Sequence, residues 1–259
     1  MSKKKSKATR QADAQRAAER AAAIRREQQI KERRRRTIWV SLAVLAVIAL
    51  AVGIVAVVQA TRDTTGKPAT PPAGAVDSYA LPLGEAGAPV TVEVYEDFIC
   101  PFCGEYESGS SEMLKEYAEA GDVQVQYRVI SFLDEASSTD YSTRAANALA
   151  VVLDRAGREV ALEFHALLFA NQPEEDSAGL SDDRLVELAV EAGATEGAVR
   201  SGIDALEFEQ WVVNARGAAS DAGYNQTPTI LVDGEQVEGD SIADLVDQTR
   251  ADIEAALGS

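Results

Sequence analysis

Cys100 and Cys103 are the only cysteines of this 259-residue chain, and only Pro101 and Phe102 separate them in VYEDFICPFCGEY, residues 94–106. A disulfide between them closes so short a loop that it takes little entropy from the unfolded chain, which makes it a poor staple. The spacing suits a different task. A thiolate at Cys100 can attack a disulfide or be joined to a partner's sulfur, and Cys103 is then positioned to displace that partner. Apolar alternation before the pair reads as a strand, and Phe102, Tyr106, Met113, Leu114 and Tyr117 recur at helical spacing up to a capping Gly121. Cys100 is therefore expected at a helix N-terminus, where unpaired N–H groups and the helix dipole favour a thiolate and hold its pKa below the free value of about 8.5.

Other residues compete for a role. Glu96 and Asp97 are the acids nearest the pair and are candidate proton carriers; the rival reading is a pair of solvated side chains at a strand's end. His165, the single histidine, lies between Phe164 and Leu167 and reads as a packing residue, with catalysis as the alternative. A structural zinc site asks for four ligands, and two Cys with one His fall short, so no metal is expected. Trp211, near Phe208 and Val212, reads as helical core.

Charge and hydropathy give these residues a setting. Residues 1–36 hold 14 Lys and Arg against 4 Asp and Glu, whereas the remainder holds 11 against 38. Between the basic head and the acidic body runs an apolar span at 37–58, whose stretch from Ile38 to Val58 has no charge. About 20 apolar residues cross a bilayer as a helix, and the four arginines at 33–36 keep its N-terminal side in the cytoplasm. The body is then expected outside, where disulfides persist. A cleaved signal peptide is the alternative, with Val58-Gln59-Ala60 at its cleavage site, but the apolar run exceeds the usual core of roughly 7–15 residues. The basic head fits a topology signal at the inner leaflet better than a nucleic-acid arm, since it has no aromatic residue to stack on a base. Trp39 fits an interfacial anchor.

Residues 59–80 form a Pro-, Gly- and Thr-rich linker, expected to hold the body off the membrane. The folded body is expected over 81–257. VTVEVYEDF and VQVQYRV read as strands on either side of the first helix. Four helices follow within about 139–222: STRAANALAVVLDRAG, EVALEFHALLFANQP, SDDRLVELAVEAG with Ser181 as N-cap, and IDALEFEQWVVNARGAASDAG. TILV, a turn at Asp233-Gly234, EQVEG and a last amphipathic helix close the chain.

Strand, Cys-Pro-x-Cys at a helix start, a long helical insertion and Thr-Pro-Thr before a hairpin together resemble the DsbA-like branch of the thioredoxin superfamily. The resemblance runs from about Leu81 to Leu257. It implies an α/β thioredoxin fold with an inserted helical domain, preceded here by one transmembrane helix and a linker. It also implies thiol-disulfide exchange outside the cytoplasm, with no cofactor beyond the Cys100-Cys103 pair. Matched residue by residue, Cys100 is the attacking cysteine and Cys103 the resolving one. Pro101 and Phe102 lie between them, and Thr227-Pro228 is the cis-proline loop opposite. Two departures stand out: Phe102 replaces the histidine of strongly oxidising members, and Val94 occupies the position, six before Cys100, where many relatives bury an acid.

The implied function is oxidation of secreted or surface proteins in reduced or unfolded form, with a membrane redox partner that regenerates the disulfide. The alternatives are a reductase or isomerase, or a non-catalytic module that holds extended peptides. The acidity of the body argues against nucleic-acid partners. A membrane-impermeant thiol reagent applied to intact, reduced cells is expected to label Cys100; labelling only after lysis would reverse the orientation.

Overall fold

The computed structural model describes residues 65–258, with isolated positions 39, 48, 50 and 53 before them. The basic head and most of the apolar span at 37–58 lie outside the described residues; Trp39, Ile48, Leu50 and Gly53 are helical. Among the described residues no helix is long and apolar enough to cross a membrane.

The body is built on a five-stranded sheet in the order β1-β3-β2-β4-β5. Strand β2 (Val90–Glu96) runs parallel to β3 (Val123–Val129), as the helix between them requires. On β2, Val90, Val92 and Val94 are buried while Thr91 and Glu93 are half-buried, so the period of two seen in the sequence selects the inner face. Strand β4 (Thr229–Val232) lies antiparallel to β2 on its other side, and Asp233 and Gly234, both at positive φ, turn it into the short β5 (Glu235–Gln236). The edge strand β1 (Leu81–Leu83), antiparallel to β3, was not expected from sequence; three residues are too few for a periodicity.

Helix α1 (Pro101–Ala120) begins at the cysteines and ends where Gly121 takes φ 82. Its buried stripe is Cys103, Tyr106, Glu107, Ser110, Met113, Leu114 and Ala118. Phe102 departs from the expected apolar face, because it is 58% exposed on the first turn. Helix α7 (Ile242–Leu257) packs beside α1, joined to it by Tyr106 Oη to Thr249 Oγ1 at 3.3 Å.

The helical insertion comprises α2 (Tyr141–Ala156), α3 (Arg158–Ala170), α4 (Asp182–Glu191), α5 (Glu196–Asp204) and α6 (Glu209–Asp221). Buried Ala145, Ala146, Ala148 and Ala150 let α2 serve as its central helix, with α3, α5 and α6 packed around it. Ser181 caps α4, its Oγ accepting from Arg184 N at 3.2 Å. The single helix expected from Ile203 to Gly223 is instead broken between α5 and α6, with Leu206 at φ 50. Buried Asn147 holds the break: its Oδ1 accepts from Phe208 N at 2.8 Å, and its Nδ2 reaches Gly202 O at 3.4 Å. A distant asparagine thus supplies what a continuous helix would have satisfied locally.

The linker expectation over 59–80 also needs correction. Its described part, from Thr65 onward, is docked on the body rather than free. Gly66 N donates to Asn214 Oδ1 at 2.8 Å, and Asn214 Nδ2 donates to Lys67 O at 2.8 Å. Ala73 N donates to Asp154 Oδ1 at 2.9 Å, Trp211 Nε1 donates to Ser78 O at 2.8 Å, and Ala80 is fully buried. Proline-rich sequence fixes an extended path, and the insertion's side chains satisfy its backbone. Trp211 is core as expected, 7% exposed, with its one polar atom spent on this segment.

Asn214→Ala should therefore release residues 66–68 while the sheet stays intact. Amide exchange at Gly66 is expected to rise toward the unprotected rate, with a global cost of about 1 kcal/mol for the lost hydrogen bonds. Unchanged protection at Gly66 would show that other contacts hold the segment.

Candidate active site

Cys100 is the N-cap residue of α1, with Pro101 at the first helical position, where the missing N–H costs nothing. Its backbone is extended, and its carbonyl accepts from Cys103 N at 3.0 Å and Gly104 N at 3.2 Å. Both cysteines are free thiols, 3% and 1% exposed. The Thr227-Pro228 bond is cis, as expected, and brings Thr227 O to 3.4 Å from Cys100 Sγ, which donates to it when protonated. Phe102, Thr227, Pro228, Val237, Ile242 and Leu245 line an open groove of about 520 Å³ beside the attacking sulfur.

The two thiols are electrostatically unlike. The Cys100 pKa is lowered from 9.0 to about 6, first because Cys103 donates a hydrogen bond to its thiolate. Burial opposes the shift, and the Thr227 side chain and the backbone N–H groups of Cys103 and Phe102 add to it. Cys103 is pushed well above 9.0, first by burial, then by the hydrogen bond it gives to Cys100 and by the charges on Cys100 and Glu96. One sulfur is therefore a thiolate near neutral pH, and the other holds a proton that it must give up before it can attack.

The two expected proton carriers are both buried, at 1% and 0% exposure, so the reading of solvated strand-end side chains is corrected. They point to different neighbours. Asp97 Oδ1 accepts from Ser142 Oγ at 2.6 Å and Ile99 N at 3.2 Å, and Oδ2 accepts from Leu133 N at 2.9 Å. Burial nevertheless raises its pKa from 3.8 to about 6, so its neutral form favours the fold below pH 3.8 and that contribution is lost as pH rises through about 6. Through these hydrogen bonds Asp97 pins the turn before α1 to Leu133, in the segment after β3, and to Ser142 of α2. Glu96 is two residues beyond Val94 on the same face of β2, and its charge acts on Cys103. The acid absent at Val94 is met one pleat further on.

His165 is more than a packing residue. It is 2% exposed, with Nε2 at 2.5 Å from Glu96 Oε1 and Nδ1 at 3.9 Å from Glu107 Oε1. Phe98, Tyr127 and Phe169 enclose the ring at centroid distances of 5.6, 4.4 and 5.1 Å. Ligand atoms of Glu96, Glu107 and His165 all lie within 4.8 Å of one another, a group the count of Cys and His alone did not anticipate. The carboxylates address opposite ring nitrogens, however, and one ion can take only one of these.

Gln172 was also missed by sequence reasoning. Its Nε2 donates to Phe98 O at 3.1 Å and Cys100 O at 2.9 Å, and a Cβ on Gly104 would lie 2.4 Å from its Oε1. The insertion therefore clamps the cysteine turn. Nothing near Gln172 in sequence marks it, whereas Glu107 could have been found as a polar residue on α1's apolar stripe.

A family model described as Thioredoxin matches residues 78–249. Among curated proteins, the serine/threonine-protein kinase PknE of Mycobacterium tuberculosis is 31% identical over 163 residues, covering 60% of this chain and 28% of the kinase. The chain thus spans under a third of the length of the curated relatives it matches. Oxidised DsbA from Mycobacterium tuberculosis is 32% identical with a TM-score of 0.59, covering 70% of this chain and 93% of that one. The reduced disulfide bond oxidoreductase DsbG of the same organism is 30% identical with a TM-score of 0.57, at 70% and 93% coverage.

Since the Cys103 thiol is the largest cause of the Cys100 shift, Cys103→Ala should raise the Cys100 pKa from about 6 toward 9.0. Thiolate absorbance at 240 nm against pH measures it, and a midpoint unchanged in the variant would assign the shift to the helix terminus instead.

Proposed function

The chain belongs to the thioredoxin family, within its DsbA-like branch, and we propose that it is a membrane-anchored, extracytoplasmic thiol-disulfide oxidoreductase that oxidises cysteines of secreted or surface proteins. The observation that carries this reading is the unlike pair of thiols, one depressed to about 6 and one pushed well above 9.0, beside an open groove. The anchor and its orientation rest on the apolar span at 37–58 and the arginines before it.

In the oxidised enzyme a substrate thiolate attacks Cys100 Sγ. The Cys100-Cys103 bond breaks, and Cys103 leaves as a thiolate that takes up a proton, with Glu96 the acid that supplies it. A second substrate thiolate then attacks the substrate's own sulfur in the mixed disulfide, and Cys100 leaves as a stabilised thiolate. Two electrons have passed from the substrate to the cysteine pair. A membrane partner returns them onward by accepting the Cys100 thiolate on its own disulfide. The exposed Phe102 and the Thr227-Pro228 loop offer an apolar face and backbone groups to an extended substrate, so recognition draws on main chain more than on particular side chains.

The test is the equilibrium reduction potential of the full chain, together with trapping. A value near about −120 mV marks an oxidase and one near about −270 mV a reductase. Cys103→Ser should accumulate a mixed disulfide with substrate, and Cys100→Ser should trap none. Full oxidase activity in both variants would leave the peptide-binding module as the standing alternative.

A further inference from the structure

Cys103 must exchange a proton at each turnover although it is 1% exposed. A substrate or partner joined to Cys100 would lie against the groove lined by Phe102 and Pro228 and would shield that side from water. A second groove of about 520 Å³ opens elsewhere on the body, sharing no lining residue with the first, and Glu107 and His165 form part of its wall.

We propose that His165 and Glu107 extend the proton path of Glu96 from Cys103 to this second groove, so that the resolving thiol exchanges its proton with water behind the sheet while the substrate side is closed. The inference rests on the oxidoreductase reading above. Three observations support it. His165 stands between the two carboxylates, with Nε2 toward Glu96 and Nδ1 toward Glu107. Glu107 Oε2 is buried and has no hydrogen-bond partner, so a carrier position is open where the chain meets the groove. The path otherwise runs through an aromatic box of Phe98, Tyr127 and Phe169, which excludes water from the ring.

The titratable groups facing the path are Glu96 from β2, Cys103, Tyr106 and Glu107 from α1, and Tyr127 from β3. Glu85, Lys115, Glu119, Arg158, Glu159 and Glu163 stand at the groove. Burial raises Glu107, with His165 opposing and Glu96 adding to the shift. Burial disfavours the imidazolium most, but Glu96 and Glu107 outweigh it and the His165 pKa is raised from 6.5. Both groups thus hold protons more readily than their free forms.

The step balances. In reoxidation the Cys100 thiolate attacks a disulfide of the oxidant, and one oxidant sulfur leaves as thiolate. Cys103 then loses its proton to Glu96 and attacks Cys100 Sγ; the Cys100-oxidant bond breaks, and the second oxidant sulfur leaves with the electron pair. Glu96 passes the proton to His165 Nε2, His165 Nδ1 gives one to Glu107, and Glu107 releases it to water. The 3.9 Å between Nδ1 and Oε1 has to close by under about an ångström to reach hydrogen-bond range.

The experiment uses reduced full chain mixed with oxidised glutathione, quenched with an alkylating reagent and read by mass. It separates formation of the Cys100-glutathione disulfide from its resolution by Cys103. In Glu107→Gln the ratio of the second rate to the first is expected to fall about a hundredfold at pH 6. Imidazole, which can enter the groove, should restore it, and so should Glu107→Asp in part. His165→Gln should show the same loss, and its far-UV spectrum reports whether it folds. An unchanged ratio in Glu107→Gln overturns the path, as does a loss that imidazole leaves untouched, which would mark a structural role. One equivalent of zinc bound tightly by the wild type and lost in His165→Gln would also overturn it, by assigning the three residues to a metal. Absence of the first step in the wild type would instead defeat the oxidoreductase reading.

Discussion

Two sulfurs share one proton in a volume nearly closed to water, and the rest of the body is arranged around that sharing. Cys103 gives a hydrogen bond to the Cys100 thiolate, which lowers one pKa and raises the other in the same contact. The arrangement persists because α1 fixes both: Cys100 at its cap and Cys103 on the first buried turn. Exposure of Cys103 would weaken the asymmetry, since water would compete for both the proton and the thiolate.

The helical insertion does more than cover the sheet. Ser142 of α2 holds Asp97, His165 of α3 holds Glu96, and Gln172 just beyond α3 donates to the carbonyls of Phe98 and Cys100. These contacts bind the turn Glu96 to Cys100 from the side opposite the Thr227-Pro228 loop. The same helices bind residues 66–80 through Asn214, Asp154 and Trp211.

Much of this was legible in the sequence because period and chemistry agreed. The alternation of Val90, Val92 and Val94 gave β2 its buried face, and the cysteine pair with the later Thr227-Pro228 gave the site. The break at Leu206 was not legible, because the group that stabilises it, Asn147, is about 60 residues away. Phe102 shares the helical spacing of Tyr106, Met113 and Leu114, yet on the first turn of α1 it is exposed, as its place between the two cysteines allows. The burial of Glu96 needed only the period of two: an acid absent at Val94 returns at the next residue on that face. The place of His165 between Glu96 and Glu107 needed the fold, since nothing in sequence brings α3 across the start of α1.

The depressed thiol bears on the direction of electron flow, though less than its size implies. A pKa of about 6 against 9.0 is a large shift, but at pH 7 an ordinary thiol is already protonated, so only the interval between 6 and 7 counts. That interval is worth at most about 1.4 kcal/mol, or about 30 mV for a two-electron couple. The raised pKa of Cys103 adds nothing at pH 7, because a thiol held above 9.0 and an ordinary one are both protonated there. The span from about −270 to −120 mV is about five times larger. A strongly oxidising pair must therefore draw most of its drive from interactions other than the Cys100 charge. The Gln172 clamp and the Glu96-His165 contact both hold the turn from Glu96 to Cys100 in the dithiol form, and they are where that form can be favoured.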